Sequence, residues 1–207
     1  KREIITVPKL SNCNYGAIAN MVKKCGGNVN LTDKPEDLLV ADKIILAGVG
    51  SFDRGIKILK DGGWFDIIRE SVIKNKIPIL GICLGMQLFC KSSEEGLDEG
   101  FGFFNAVVVR IKQTSKTLKI PHMGWNNLIV KKYDPILKTI LEDQRFYFIH
   151  SYYVDCINKD EIIASVQYGD EITAAINKEN IYGVQFHPEK SHKFGKELMT
   201  NFLNLKN

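Results

Sequence analysis

The chain has little of what would mark a disulfide scaffold, a metal protein, a membrane protein or a nucleic-acid binder. Its 207 residues include five cysteines, at positions 13, 25, 83, 90 and 156. The count is odd, no C-x-x-C pair occurs and no Cys/His cluster has metal-ligand spacing, so neither a disulfide framework nor a zinc site is expected. No apolar run approaches the roughly 18 residues a membrane span needs, and the opening stretch KREIITV reads as a strand without the h-region of a signal peptide. An excess of one charge is missing too. Lys and Arg number 28 against 24 Asp and Glu, for a net +4 with the signs interleaved, which argues against a nucleic-acid partner. With no repeats, linkers or low-complexity segments, the expectation is one cytoplasmic domain over residues 1–207, with one substantial core.

What is present is an alternation. EIITV (3–7) precedes a helix-like segment near 14–25 that ends at Gly26 and Gly27, where glycine supplies a C-cap. KIILA (43–47) runs into the loop GVGSF and then a helical region to about 75, and IPILGI (77–82) runs into a helix expected over Leu84 to Lys91. Strands alternating with helices predict βαβ units and a parallel sheet. In the second half AVVVRI, NLIV, RFYFIH, EIIASVQ, EITAAI and IYGVQF follow closely on one another, so part of that sheet is expected to be antiparallel. A last amphipathic helix, His192 to Leu205, sets Phe194, Leu198, Phe202 and Leu205 on one face.

Within this pattern the stretch GICLGMQLFC holds a thiol between two glycines. G-x-C-x-G is the cysteine form of a nucleophile elbow, in which Cys83 sits on a sharp strand-to-helix turn and Gly81 and Gly85 are small so that the turn can close. The N–H groups and positive end of the following helix would face the sulfur and favour the thiolate. The competing reading is a free cysteine buried as a small hydrophobe. Cys90, on the same expected helix but without a glycine frame, is assigned to the core. Far along the chain, GVQFHPE ends a strand in His187-Pro188-Glu189. Residues two apart on an extended stretch can aim an imidazole at the sulfur and a carboxylate at the imidazole, which supplies a nucleophile, a base and an orienting acid. Taken alone, His187 reads as a strand-end histidine and Glu189 as a solvated acid. The convergence of three roles favours a site.

GICLGMQ together with QFHPE resembles the class I, triad-type glutamine amidotransferases. More narrowly, IPHMGWN (120–126), FYFIHSYYV (146–154) and GVQFHPEKS (183–191) resemble the glutaminase subunits of imidazole glycerol phosphate synthase, the HisH family, over nearly the whole chain. The resemblance implies an α/β fold with a mixed, mostly parallel central sheet flanked by helices, flavodoxin-like. It implies that Cys83 attacks the side-chain amide of glutamine to form a thioester, with His187 relaying the proton and Glu189 holding His187. Gly48, Val49 and Gly50 match the family's oxyanion loop, whose peptide N–H joins that of Leu84; the residues alone read as an ordinary glycine turn. Gly48, Gly50, Gln87, Glu95, His150, Ser151 and Tyr152 match glutamine-holding positions. No cofactor and no metal are implied. The implied partner is a separate ammonia-accepting synthase, a HisF-like (β/α)8-barrel in a heterodimer, with Asn14, Trp125, Tyr147 and Lys190 at subunit contacts. Trp125 and Tyr147 read equally well as core aromatics, and Lys190 as a solvated charge.

The chain departs from the family pattern in two places. Ala47 replaces the proline of a P-G-V-G loop, from which a looser loop is expected. The turn over Pro8, Lys9, Leu10, Ser11, Asn12, Cys13 and Asn14 replaces an acidic D-Y-G-x-G-N turn near the family's ammonia exit. Relatives of the HisH type that feed sugar-modifying amidotransferases in surface-glycan pathways resemble this pattern, including the block Ser191-His192-Lys193-Phe194-Gly195. A stand-alone γ-glutamyl thiol hydrolase and a non-catalytic binding module are the remaining readings.

Overall fold

In the computed structural model, which describes residues 2–10 and 13–206, strands and helices alternate through the first half. They are β1 (Ile4–Pro8), α1 (Tyr15–Lys24), β2 (Asn28–Thr32), β3 (Lys43–Gly48), α2 (Phe52–Asp61), α3 (Phe65–Arg69) and β4 (Ile79–Cys83). After the short α4 (Leu84–Gln87) come β5 (Ser92–Ser93), β6 (Ala106–Arg110), β7 (His122–Asn127), β8 (Ile129–Val130), β9 (Arg145–His150) and β10 (Tyr152–Cys156). The chain then runs through β11 (Ile162–Tyr168), β12 (Asp170–Lys178), β13 (Ile181–Val184) and α5 (His192–Leu203).

The main sheet has the order β2-β1-β3-β4-β13-β12-β11-β8. From β2 to β13 every neighbouring pair is parallel, and from β13 to β8 every pair is antiparallel. The expected mixed, mostly parallel α/β sheet is what forms. β7 and β9 make a separate antiparallel ribbon, and β10, β6 and β5 a third small sheet. The strand β2 escapes the sequence pattern because NVNLT carries two asparagines on a half-covered edge.

A parallel sheet buried on both faces needs apolar residues of both parities, which explains the near-continuous runs in β3 and β4. Ile45 and Ala47 face a core shared with Leu80, Ile82, Ile18 and Val22 of α1, and Leu198 and Phe202 of α5. Ile44 and Leu46 face the opposite core, with Ile79, Ile56 and Leu59 of α2, and Trp64, Ile68 and Met86. Each large side chain removed from such a layer costs about 3–5 kcal/mol for Phe→Ala. Asn14 starts α1 by accepting a hydrogen bond from the Ala17 N–H at 3.1 Å, and Gly26 ends it at φ +85°.

Two expectations are corrected here. The helix after the elbow spans four residues, and Leu88 to Cys90 leave it as turns and a bend. Cys90 is fully buried but lies beyond that helix, and the helix is too short to aim a strong macrodipole at the sulfur. Ala47, which stands where the family has a proline, belongs to β3 and not to the loop. Ala47 is a buried ladder residue paired with Ile82, and its carbonyl accepts from the Tyr15 hydroxyl at 3.3 Å. Strand pairing holds this backbone where the family uses a proline. Of the departing turn, Ser11 and Asn12 lie outside the described residues. Among the described residues no helix is long and apolar enough to cross a membrane.

Candidate active site

Three neighbouring strands bring the candidate residues together at their C-terminal ends. β4 ends at Cys83, β3 ends at Gly48 directly opposite it, and β13 pairs with β4 on the other side and leads into His187. Cys83 has φ +56° and ψ −112°, a conformation non-glycine residues rarely hold. The turn is closed by small neighbours. A Cβ on Gly85 would lie 1.9 Å from the Leu46 carbonyl oxygen, and one on Gly81 2.6 Å from the ring of Phe89.

Cys83 is 9% exposed and lies on the wall of a cleft of about 520 Å³. Gln185, fully buried, donates its Nε2–H to Cys83 Sγ at 3.6 Å. Gln87 in turn donates Nε2–H groups to Gln185 Oε1 and to the Tyr152 carbonyl, each at 3.1 Å. Both donors of Gln87 are therefore used by the scaffold, and its oxygen is what remains for a ligand.

Behind the sulfur, His187 Nδ1 and Glu189 Oε2 are 3.0 Å apart, with side chains only 3% and 2% exposed. The solvated-acid reading of Glu189 is overturned, because the turn over Pro188–Lys190 folds the carboxylate inward. A Cβ on Gly195 would lie 1.9 Å from the Pro188 carbonyl oxygen, so α5 can pack against that turn only with glycine there. The His187 N–H donates to the Tyr147 carbonyl at 2.9 Å, and Ser191 Oγ–H donates to the His187 carbonyl at 2.6 Å. His187 Nε2 is buried with no hydrogen bond of ordinary length among the described residues; its electrostatic neighbour is Cys83. Burial pulls the imidazole pKa down, but Cys83 and Glu189 outweigh it and push it up to about 10.

The cleft is lined by Val49, Gly50, Leu84, Gln87, Glu95, His150, Ser151, Tyr152 and Lys190 as well as Cys83 and His187. Gly48 stays in the ladder just behind this wall. Glu95 Oε1 accepts from the Phe52 N–H at 2.8 Å, leaving its second oxygen. The His150 side chain is committed elsewhere. Its Nδ1–H donates to the Tyr152 carbonyl at 2.9 Å, which makes Nε2 an acceptor for His122 Nδ1–H at 2.9 Å. His122 Nε2 then accepts from Asn126 at 3.3 Å. Burial pulls His150 down to about 3 and His122 down to about 4, so both rings are neutral.

The four expected contact residues lie outside the cleft, apart from Lys190. Trp125 is 45% exposed, meets Tyr147 edge to face with ring centroids 5.6 Å apart and stacks on His192 at 5.4 Å. The Lys190 ammonium lies 5.9 Å over the Tyr147 ring. Trp125 is thus a surface aromatic and not a core one.

Residues 14–205 match the family model described as glutamine amidotransferase class-I. The chain belongs to this amidotransferase family. It is 50% identical over 190 residues to the imidazole glycerol phosphate synthase subunit HisH 2 of Methanococcus maripaludis, covering 92% of this chain and 94% of that one. It is 43% identical over 192 residues to the subunit HisH 2 of Pseudomonas aeruginosa, covering 93% and 95%. Among solved structures, PurLQS from Thermotoga maritima superposes with a TM-score of 0.71 at 19% identity over 99% of this chain and 98% of that one. The glutaminase domain of Trypanosoma brucei CTPS gives 0.68 at 18% identity over 100% and 96%. At those identities the structures attest the shared fold.

For this amidotransferase the sequence reading missed Gln185, His122 and Arg110. Gln185 and His122 stand inside the quoted QFHPE and IPHMGWN blocks without a role, and only the tertiary pairing assigns them partners. Arg110 lines the cleft over the Tyr152 ring, yet in sequence it is one basic residue at a strand end.

Proposed function

We propose that this chain is the glutaminase subunit of an imidazole glycerol phosphate synthase, hydrolysing glutamine to glutamate and ammonia for histidine biosynthesis. The observation that carries the chemistry is the strained Cys83 beside a buried His187–Glu189 pair at the mouth of one cleft. The names and near full-length coverage of the HisH relatives support the pathway. Ammonia released in neutral water is mostly ammonium, which is no nucleophile, so a separate acceptor with a shielded path is required. That partner is a HisF-like barrel seated over Asn14, Trp125, Tyr147 and Lys190.

His187 takes the Cys83 proton on Nε2 as the sulfur bonds to the amide carbon and the carbonyl π electrons move to oxygen. The N–H groups of Leu84 and of the Val49–Gly50 loop hold that oxyanion. His187 gives its Nε2 proton to the leaving nitrogen, ammonia departs, and a γ-glutamyl thioester remains. His187 then takes a proton from water as the oxygen attacks the thioester and returns it to the departing sulfur, so that glutamate leaves and the thiol is restored. Glu189 keeps its bond to Nδ1 throughout. Glu95 receives the α-ammonium of glutamine on its free oxygen, with Gln87, Ser151 and the backbone of His150 and Tyr152 around the rest.

A second reading is supported by the departing turn at residues 8–14. Here the same glutaminase feeds a sugar amidotransferase. Ammonia release is measured with the isolated chain and after adding a HisF-type barrel with its ligand. Stimulation by the barrel supports the histidine pathway. Equal turnover with and without it, together with capture of a sugar amidotransferase from native cells, transfers the chain to the second reading.

A further inference from the structure

Two loops that reach the cleft from separate parts of the chain are fastened to each other by their acidic side chains. Glu95 accepts the Phe52 N–H at 2.8 Å. In the opposite direction Asp53, the second residue of α2, accepts the N–H of Leu97 on Oδ2 and that of Asp98 on Oδ1, each at 2.9 Å. The loop is wrapped closely around this carboxylate, since a Cβ on Gly96 would stand 2.1 Å from Asp53 Oδ1. On the α2 side Phe52 is fully buried. Just before it, Ser51 caps the helix by accepting the Arg54 N–H at 3.4 Å, and Gly50 turns at φ +103°. The hydrogen bonds therefore tie Glu95 to Phe52, two residues after the turn at Gly50.

We propose that this reciprocal clamp couples recognition of the α-ammonium of glutamine to assembly of the oxyanion loop, with Asp53 as its positioning residue. The inference rests on the glutaminase reading above. An ammonium on the free oxygen of Glu95 fixes that carboxylate, which fixes the Phe52 N–H and with it the register of the Val49–Gly50 peptide opposite Cys83. Asp53 holds the loop that carries Glu95 against α2, so the two loops move as one body. Binding energy from a group remote from the reacting amide is thereby expressed in the transition state, where it raises kcat rather than lowering KM.

The test compares the full wild-type chain with Asp53→Ala on glutamine and on 5-amino-5-oxopentanoate, which is glutamine without its α-amino group. The wild type is expected to show a kcat ratio between the two substrates well above one. In Asp53→Ala the kcat for glutamine falls about tenfold, KM stays within about twofold and the ratio drops toward one, because a misplacement of about an ångström carries penalties of this order and above. Asp53→Asn, which retains one acceptor oxygen, recovers most of the loss. Gly96→Ala reproduces the defect by steric means, and adding it to Asp53→Ala costs nothing further. Alkylation of Cys83 by iodoacetamide, which needs neither loop, stays at the wild-type rate. A change confined to KM, an unaltered kcat ratio, or alkylation falling in step with kcat overturns the coupling. A wild-type chain that hydrolyses no glutamine overturns the glutaminase reading itself, a result distinct from all of these.

Discussion

His187 and His150 both line one cleft and both are buried, at 2% and 6% exposure, yet their surroundings move them in opposite directions. At His150 burial acts almost unopposed, with a backbone carbonyl and a neutral imidazole as partners, and the ring is pulled down to about 3. At His187 burial is overcome by a sulfur and a carboxylate, and the ring is pushed up to about 10. Desolvation alone makes a histidine a neutral hydrogen-bonding strut. A sulfur on the Nε2 side and a carboxylate at Nδ1 favour its protonated form instead.

The largest effect is expected from removing the sulfur beside His187. Cys83→Ala is predicted to reduce glutamine hydrolysis by about 10⁴-fold or more, with the fold intact by circular dichroism and the His187 titration, followed by NMR, moved down. Near-normal turnover in that variant would break the contrast at its root. Glu189→Gln comes next. It keeps a hydrogen-bond partner for Nδ1 without the charge, and the loss is put at about 10³–10⁴-fold in kcat by analogy with other acid–imidazole pairs, again with the imidazole pKa lowered. An unshifted His187 would mean that Cys83 alone sustains the imidazolium.

A smaller effect belongs to the neutral pair. His150→Ala strands the His122 Nδ1–H, whereas the Tyr152 carbonyl keeps its bond from Gln87; the cost is about 1–3 kcal/mol for the one group left unsatisfied, measured by urea unfolding at neutral pH. The pH dependence separates the two clusters. For His150 and His122 the folded pKa lies below the unfolded value near 6.5. Their contribution is present above pH 6.5 and is lost as the pH falls toward 4, at about 1.4 kcal/mol per unit for each ring. The folded pKa of His187 lies above the unfolded one, so its contribution is present below pH 6.5 and is lost as the pH rises toward 10. Unfolding curves from pH 4 to 6.5 should therefore be shallower for His150→Ala than for wild type. Identical slopes would remove His150 from the acid limb.

The same contrast explains what was legible in the sequence. The proposed nucleophile, base and acid were readable because each carries a local mark: glycines two residues either side of Cys83, and a proline locking the step from His187 to Glu189. The strands β3 and β4 were readable because a doubly buried strand is apolar at both parities. The neutral histidine pair was not, since His122 and His150 meet only through the register of β7 against β9, and nothing near either residue encodes that register. The length of α4 was misjudged for a related reason. The apolar run after Leu84 looks like a helix face, whereas Phe89 and Cys90 are buried in the core between the helix and β5. The clamp between Asp53 and the loop at Leu97 is likewise a pairing of distant backbone and side chain.

The position of β13 has a consequence for biosynthesis. It is the last strand in the chain, yet it lies in the middle of the sheet, between β4 and β12. A growing polypeptide that has emerged only as far as β12 already contains the thiol, with one edge of β4 unpaired and neither imidazole nor carboxylate behind the sulfur. Closing the sheet between β4 and β12 therefore requires the final strand, and the same strand leads into the turn that sets His187 and Glu189 behind Cys83.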